Sequence, residues 1–238
     1  MKMNTLLSIL ALLPCIVREV SAQNQQGIRY TLEQILGDNE LTTISERADT
    51  LKYAIPVLRD KDTLMMVTMH GGRELPDRIV LWKKIGQFYS EVTIFESSPE
   101  GPVVDFLEEP NVFIYQGERI LHIQHNYRGT GNYHEDTLFV VHPDGEIQGV
   151  YFEPAPNGCE HLLTEKEAVW KGEMNNFSDD AMEFVFAIWN TEIDANCCPT
   201  AGRVTGTYKL VRQQGSRPNT MMYKIMVDTF QRVPIKEN

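Results

Sequence analysis

The chain has 238 residues, 42% of them hydrophobic and 23% charged, and a formal net charge of −11. That hydrophobic content excludes a disordered chain, and the length suits one large β domain or two small ones. The acidic balance, with no run of Lys and Arg, excludes a nucleic-acid-binding face and disfavours anionic lipid surfaces.

Met1-Lys2-Met3-Asn4 carries one positive charge, and Leu6 to Val17 is apolar apart from Ser8. This run is about a dozen residues, short of the ~20 that a spanning helix needs. Val20-Ser21-Ala22 supplies a small-residue exit. Together they read as a secretory signal peptide over residues 1–22, cleaved before Gln23. Arg18-Glu19 departs from the pattern by placing charge near the apolar run. The expected location is periplasmic or secreted. The alternative is lipid anchoring through Cys15, for which Pro14 is a poor preceding residue. Cleavage removes Lys2, Arg18 and Glu19, so the charge moves from −11 to −12.

Thr31 lies three residues before Gln34, a capping-box spacing, and Gly37 is a natural stop. Thr43 and Glu46 repeat that spacing, and Ile44, Ala48, Leu51 and Ala54 fit one helical face, so a second short helix is expected over Thr43 to Tyr53. From about residue 62 the period becomes two. Strands are expected over Leu64 to His70, Phe88 to Phe95 and Arg119 to His125. Ile79 to Ile85 fits either a strand or a helix ending at Gly86. Thr137 to His142, then Pro143-Asp144-Gly145, then Ile147 to Phe152 reads as a hairpin. The run Leu138-Phe139-Val140-Val141 suggests burial on both faces of its strand. Thr164 and Glu167 predict a capped helical turn ahead of Ala168, Val169 and Trp170. Met182, Phe184, Phe186 and Ile188 form one apolar face. A last hairpin joins Arg203 to Leu210 with Met221 to Val227. The pattern predicts a mainly β protein, an antiparallel sandwich or partly open barrel with one or two short N-terminal helices. Its expected divisions are the signal peptide at 1–22, a helical segment at 23–60 and a β-rich domain at 61–238.

Cys159, Cys197 and Cys198 remain after cleavage. In an exported protein at least one disulfide is the default. Adjacent cysteines bond each other poorly, because disulfide geometry sets their Cα atoms beyond ~4.4 Å. Cys159 is therefore expected to pair with Cys197 or Cys198, leaving one thiol either inert or bridging to another chain.

His122, His125, His134, His142 and His161 fall within forty residues of one another. A metal site needs three or four such groups converging with a carboxylate. His122 and His125, three apart on a strand, point to opposite faces. The metal candidates are His125, His134 and Glu135, set against the plainer reading of structural histidines. Met65, Met66, Met69 and His70 offer Cu(I) ligands, but methionine also fills irregular cores. Glu108, Glu109, Asp179 and Asp180 are paired carboxylates of the kind used in glycoside hydrolysis, or solvated loops. No nucleophile elbow, zinc-protease helix or phosphate loop is present.

Two segments stand out together: Asn126-Tyr127-Arg128-Gly129-Thr130-Gly131-Asn132-Tyr133 before the strand Leu138 to Val141, and Cys197-Cys198-Pro199-Thr200 before the strand Arg203 to Leu210. Over roughly residues 115–212 the chain resembles a group of bacterial exported proteins and lipoproteins of unknown function. These have a Gly-Ser/Thr-Gly loop and a Cys-Cys-Pro motif. The resemblance implies an envelope protein with a structural disulfide and brings no activity with it.

The functional expectation is an exported, non-enzymatic β protein that binds a protein or small-molecule partner through loops, without a cofactor or nucleic acid and not transmembrane once cleaved. Loops on a rigid scaffold commonly carry function. The candidate loops are Asn126 to His134, with Arg128, Tyr133 and His134, and Asn190 to Pro199. The alternative is a metal-dependent hydrolase or metal-binding protein using the His122 to His161 histidine group.

Overall fold

A computed structural model describes residues 29–36, 50–59, 64–71, 77–97, 105–127, 133–153, 155, 160–169, 174–194, 199–215 and 221–234. Residues 1–22, Arg128, Cys159, Cys197 and Cys198 lie outside them. Two sheets account for nearly all of the described backbone. β1 (Arg29–Tyr30), β2 (Thr50–Arg59), β3 (Leu64–Gly71), β4 (Arg78–Ile85) and β5 (Phe88–Glu96) form a five-stranded sheet in the order β1-β5-β4-β3-β2, with a short helix α1 (Leu32–Leu36). The second sheet contains β6 (Asp105–Leu107), β7 (Asn111–Tyr115), β8 (Glu118–Tyr127), β9 (Tyr133–Val141), β10 (Ile147–Phe152), β11 (Glu167–Ala168), β12 (Met174–Phe177), β13 (Met182–Asn190), β14 (Gly202–Gln214) and β15 (Met221–Val233). Its path is β11-β13-β14-β15-β10-β9-β8-β6, with β12 also on β13 and β7 also on β8. Every pairing is antiparallel except β10 with β15, which is parallel.

Alternation along β9 explains how the layers stack. Leu138 and Val140 enter one core with Phe113, Ile120, Phe184, Phe186, Val204, Tyr208 and Ile225. Phe139 and Val141 enter a second core with Leu121, Ile123, Met65, Val67, Met69, Ile79 and Leu81. The second core glues the small sheet to the β8–β9 half of the large one. The first lies inside the large sheet, whose two halves curl toward each other. A third cluster on the far face of the small sheet joins Met66, Val80 and Trp82 to Tyr30 and Ile35, so β1 and α1 act as its cover. Buried apolar side chains on both faces of one strand are what the four-residue run Leu138 to Val141 requires.

The curled sheet does not close by a backbone ladder. Side chains bridge its two ends instead. Asn111 Nδ2 on β7 donates to the Phe177 carbonyl on β12 at 2.9 Å, and the Ile114 amide donates to Asp179 Oδ1 at 2.6 Å. Tyr115 OH donates to the Tyr208 carbonyl at 3.3 Å. The result is a partly open barrel with a polar seam.

The hairpin at residues 137–152 forms as expected. Gly145 takes φ 81°, its amide donates to the His142 carbonyl at 2.8 Å, and Asp144 Oδ1 accepts from the Glu146 amide. Ile79 to Ile85 is strand, in β4. Two expectations are corrected. The segment up to residue 60 is not helical throughout: α1 ends at Leu36 and Thr50–Arg59 is a strand, so the second expected helix is overridden where it is described. Lys52, Tyr53 and Ala54 are exposed, while Val57 and Leu58 are buried against the second core, and that sheet contact outweighs the weak helical spacing. At Thr164 the capping contact does form, with the Thr164 amide donating to Glu167 Oε2 at 2.9 Å, but it stabilises a turn that leads into strand β11. The methionine group divides between the faces of β3, Met65 and Met69 inward and Met66 outward, each as core filling.

Candidate functional site

The polar seam is held by one carboxylate. In the β8–β9 ladder Gln124 lies opposite Asp136 and Asn126 opposite His134, so His122, Gln124, His134 and Asp136 share a face. β12 approaches that face with Asn175. The Asp136 side chain is 1% exposed. Its Oδ1 accepts from His122 Nε2 at 2.6 Å and, more weakly, from Gln124 Nε2 at 3.4 Å. Its Oδ2 accepts from Asn175 Nδ2 at 2.6 Å and lies 3.3 Å from His134 Nε2. Burial alone would raise the Asp136 pKa. Hydrogen bonds from His122, His134 and Asn175 outweigh it and hold the carboxyl well below its ordinary value. An ionised carboxylate only accepts, so the His122 proton facing it sits on Nε2.

The chain of bonds continues inward. Tyr208 OH on β14 donates to Asn175 Oδ1 at 3.0 Å, and the Ala155 amide donates to Tyr208 OH at 3.2 Å. Every donor therefore points, step by step, toward Asp136, and the direction fixes the Asn175 amide: oxygen to Tyr208, nitrogen to Asp136. The His122 ring meets the edge of Phe177 at 4.8 Å between centroids. This arrangement ties β8, β9, β12 and β14 at the seam, and neither carboxylate oxygen is left without a protein donor.

The expected metal candidates do not converge. Strand alternation puts His125 and Glu135 opposite each other on one face of the β8–β9 pair and His134 on the other. His125 stacks on Tyr127 at 4.9 Å, His142 lies 6.0 Å from the Tyr223 ring, and His161 meets Phe230 at 5.2 Å. Among the described residues no three His, Cys, Asp or Glu side chains are placed to hold one metal ion. Of the five histidines only His122 and His134 meet. Arg128 and the rest of the 128–132 loop lie outside the described residues, as do residues 195–198 of the second candidate loop; Tyr133 is described for its backbone alone. Glu108 and Asp179 carry structural bonds, to Asn126 and to the Ile114 amide.

Sequence reasoning passed over Asp136, Asn175 and Tyr208. Asp136 was hidden inside His134-Glu135-Asp136, and only the β8–β9 register shows that it shares a face with His122. Asn175 carries no local signal at all.

A second polar cluster is buried beneath β1 and α1. Trp82 Nε1 donates to Thr68 Oγ1 at 2.8 Å, and Thr68 Oγ1 lies 2.6 Å from His70 Nε2. The Thr68 hydroxyl and His70 Nε2 share this hydrogen bond, its direction following the tautomer of the ring. Burial, aided by the nearby Arg78 charge, pushes the His70 pKa down to about 4.

The exposed face of the large sheet holds a groove of about 730 Å³ across β12–β15. By alternation with the buried Phe184, Phe186 and Val204, the outward side chains along it are Met174, Asn176, Glu183, Val185, Thr205, Thr207, Thr229 and Gln231. Gly206 lies at its centre. A Cβ there would meet the Thr229 carbonyl at 2.1 Å and the Phe184 ring at 2.5 Å, so only glycine admits this approach of backbone and ring. Thr207 and Thr229 hydroxyls bond across the strands at 2.6 Å. Among the described residues no helix is long and apolar enough to cross a membrane. No family model, curated protein or solved structure matches the chain.

Proposed function

We propose that the protein is an exported, non-enzymatic binding protein that takes its ligand in the groove across β12–β15. The groove carries this reading. Its outward side chains are hydroxyls, amides and aliphatic groups with Glu183 as the one charge, a surface suited to a neutral hydrogen-bonding ligand such as an oligosaccharide or an uncharged peptide. Two further features support a role in binding. Asp136, the carboxylate best placed for acid–base work, has both oxygens occupied by protein donors. The strand that lines the groove with Met174 and Asn176 is pinned to the barrel through Asn175, so the binding face sits on a rigid support.

The test has two parts. Protein recovered from its natural host should begin at Gln23 and lie in the periplasm or medium; retention of residues 1–22 would remove the export half of the reading. Titrating the labelled protein with panels of neutral oligosaccharides and uncharged peptides should shift the amide resonances of Thr205, Thr207 and Thr229. Thr205→Arg should abolish those shifts. Saturable binding that Thr205→Arg leaves intact, or turnover of a probe, would remove the binding half.

A further inference from the structure

The groove across β12–β15 runs between two opposite charges that no neighbouring side chain neutralises. Alternation along β13 turns Glu183, Val185 and Ala187 outward, and along β14 it turns Arg203, Thr205, Thr207 and Lys209 to the same face. Lys209 is paired with Asp228 at 2.9 Å, and Lys224 farther along the face is paired with Glu153 at 2.7 Å. Glu183 and Arg203 are both exposed, and among the described residues neither side chain has a hydrogen-bond or ion-pair partner. The register holds them apart. Glu183 stands opposite Thr207, and Arg203 opposite Ala187. From Glu183 to Ala187 is four residues of strand, about 14 Å at ~3.4 Å per residue. Glu183 lines one end of the groove, and Arg203 follows Thr205 on the same face at the other. Between them the floor is polar and uncharged, with Thr205 opposite Gln231 and Thr207 opposite Thr229.

We infer that the ligand of the groove is an extended peptide of about four residues with both termini free, its ammonium group at Glu183 and its carboxylate at Arg203. This rests on the groove reading above and selects one class from the neutral ligands that reading admits. An extended chain spans ~3.3–3.6 Å per residue, so about four residues match the ~14 Å between the charges. Such a peptide is neutral overall yet carries one charge at each end, the mirror of this face. A neutral oligosaccharide has no group for either end. The Arg203 guanidinium suits a terminal carboxylate, which it can meet with two parallel N–H donors. The Glu183 carboxylate accepts from a terminal ammonium. The peptide amides in between meet threonine hydroxyls and the Gln231 amide, each able to donate and to accept. Because both charged side chains are exposed, the end contacts set direction and length more than affinity.

The experiment titrates the labelled protein with a tetrapeptide of alanine, serine and glutamine in four forms: free at both ends, acetylated at the N-terminus, amidated at the C-terminus, and capped at both. A panel of neutral oligosaccharides runs beside it. The free form should shift the amide resonances of Thr205, Thr207 and Thr229 at the lowest concentration. Each cap should weaken binding about two- to five-fold, the range of one exposed ion pair. Glu183→Gln should lose the response to acetylation and keep the response to amidation, and Arg203→Gln should do the reverse. Both positions are exposed and unbonded, so neither change should disturb the fold. Capped peptide that binds as tightly as free peptide would overturn the inference, as would cap responses that the two variants leave unchanged or exchange. Oligosaccharide binding without peptide binding would overturn it and leave the groove reading standing. No shift with any of these probes would remove both.

Discussion

Replacing Asp136 with alanine removes the acceptor on which the seam converges. Two donors at 2.6 Å, His122 Nε2 and Asn175 Nδ2, then lose their partner in a site where the aspartate side chain was 1% exposed. A buried donor left without an acceptor costs roughly 1–3 kcal/mol. Two such donors are stranded here, so the expectation for Asp136→Ala is about 2–6 kcal/mol, a large part of a typical total stability of ~5–15 kcal/mol. Urea unfolding followed by far-UV circular dichroism measures it, and the slope should stay unchanged while the midpoint falls. Adding His122→Phe to Asp136→Ala should cost much less than the sum of the single changes, since the two residues share one interaction. A loss under about 1 kcal/mol, or additive behaviour, would refute the assignment of Asp136 as the seam's anchor. The pH dependence carries its own sign. The folded-state pKa of Asp136 is depressed, so its contribution is present in full above the unfolded-state value near ~3.9 and is lost as pH falls through the folded value. Asp136→Asn should therefore lose less stability than the wild type between about pH 4 and pH 2.

Two other perturbations probe separate regions. His70 is pushed down to about 4 by burial, so the unfolded chain binds a proton that the folded one refuses. Stability should fall by about 3 kcal/mol from pH 7 to pH 4, and His70→Asn should remove most of that slope in urea titrations at fixed pH. Gly206→Ala drives a methyl group against the Thr229 carbonyl and the Phe184 ring. It should lower stability by at least about 1–3 kcal/mol in thermal unfolding, and a neutral result would mean that β14 and β15 can separate locally at no cost.

The fold was legible wherever one strand carried its own signal. Leu138 to Val141 announced burial on both faces, and the alternation at Met182 to Ile188 and Arg203 to Leu210 gave the strands of the larger core. The turn at Pro143-Asp144-Gly145 was readable from its chemistry. β2 was not, because its apolar residues happen to fall at helical steps and only the contact of Val57 and Leu58 with the other sheet decides between the two periods. β12 is four residues long, two polar between two apolar, below what any periodicity can register. The site fared worse for the same reason. His122, Asp136, Asn175 and Tyr208 come from four strands, and their convergence depends on register and on the curl of the sheet. Both are long-range properties that spacing along the chain does not carry.

A sheet that stops short of closing must present edges, and an edge is a template for another chain to pair with. Here the edges are blunted. At the large sheet's ends β6, β7, β11 and β12 run two to five residues each, too brief to seed a long intermolecular ladder. On the small sheet β1 is two residues, and the ten-residue β2 is interrupted by Pro56 and by two register shifts. Exposed Lys52 and Arg59 add charge to that edge, and the Arg119 guanidinium already occupies the Val57 carbonyl at 3.1 Å. Among the described residues, the edges of the open barrel are thus short, charged or already bonded, which disfavours pairing with a second chain.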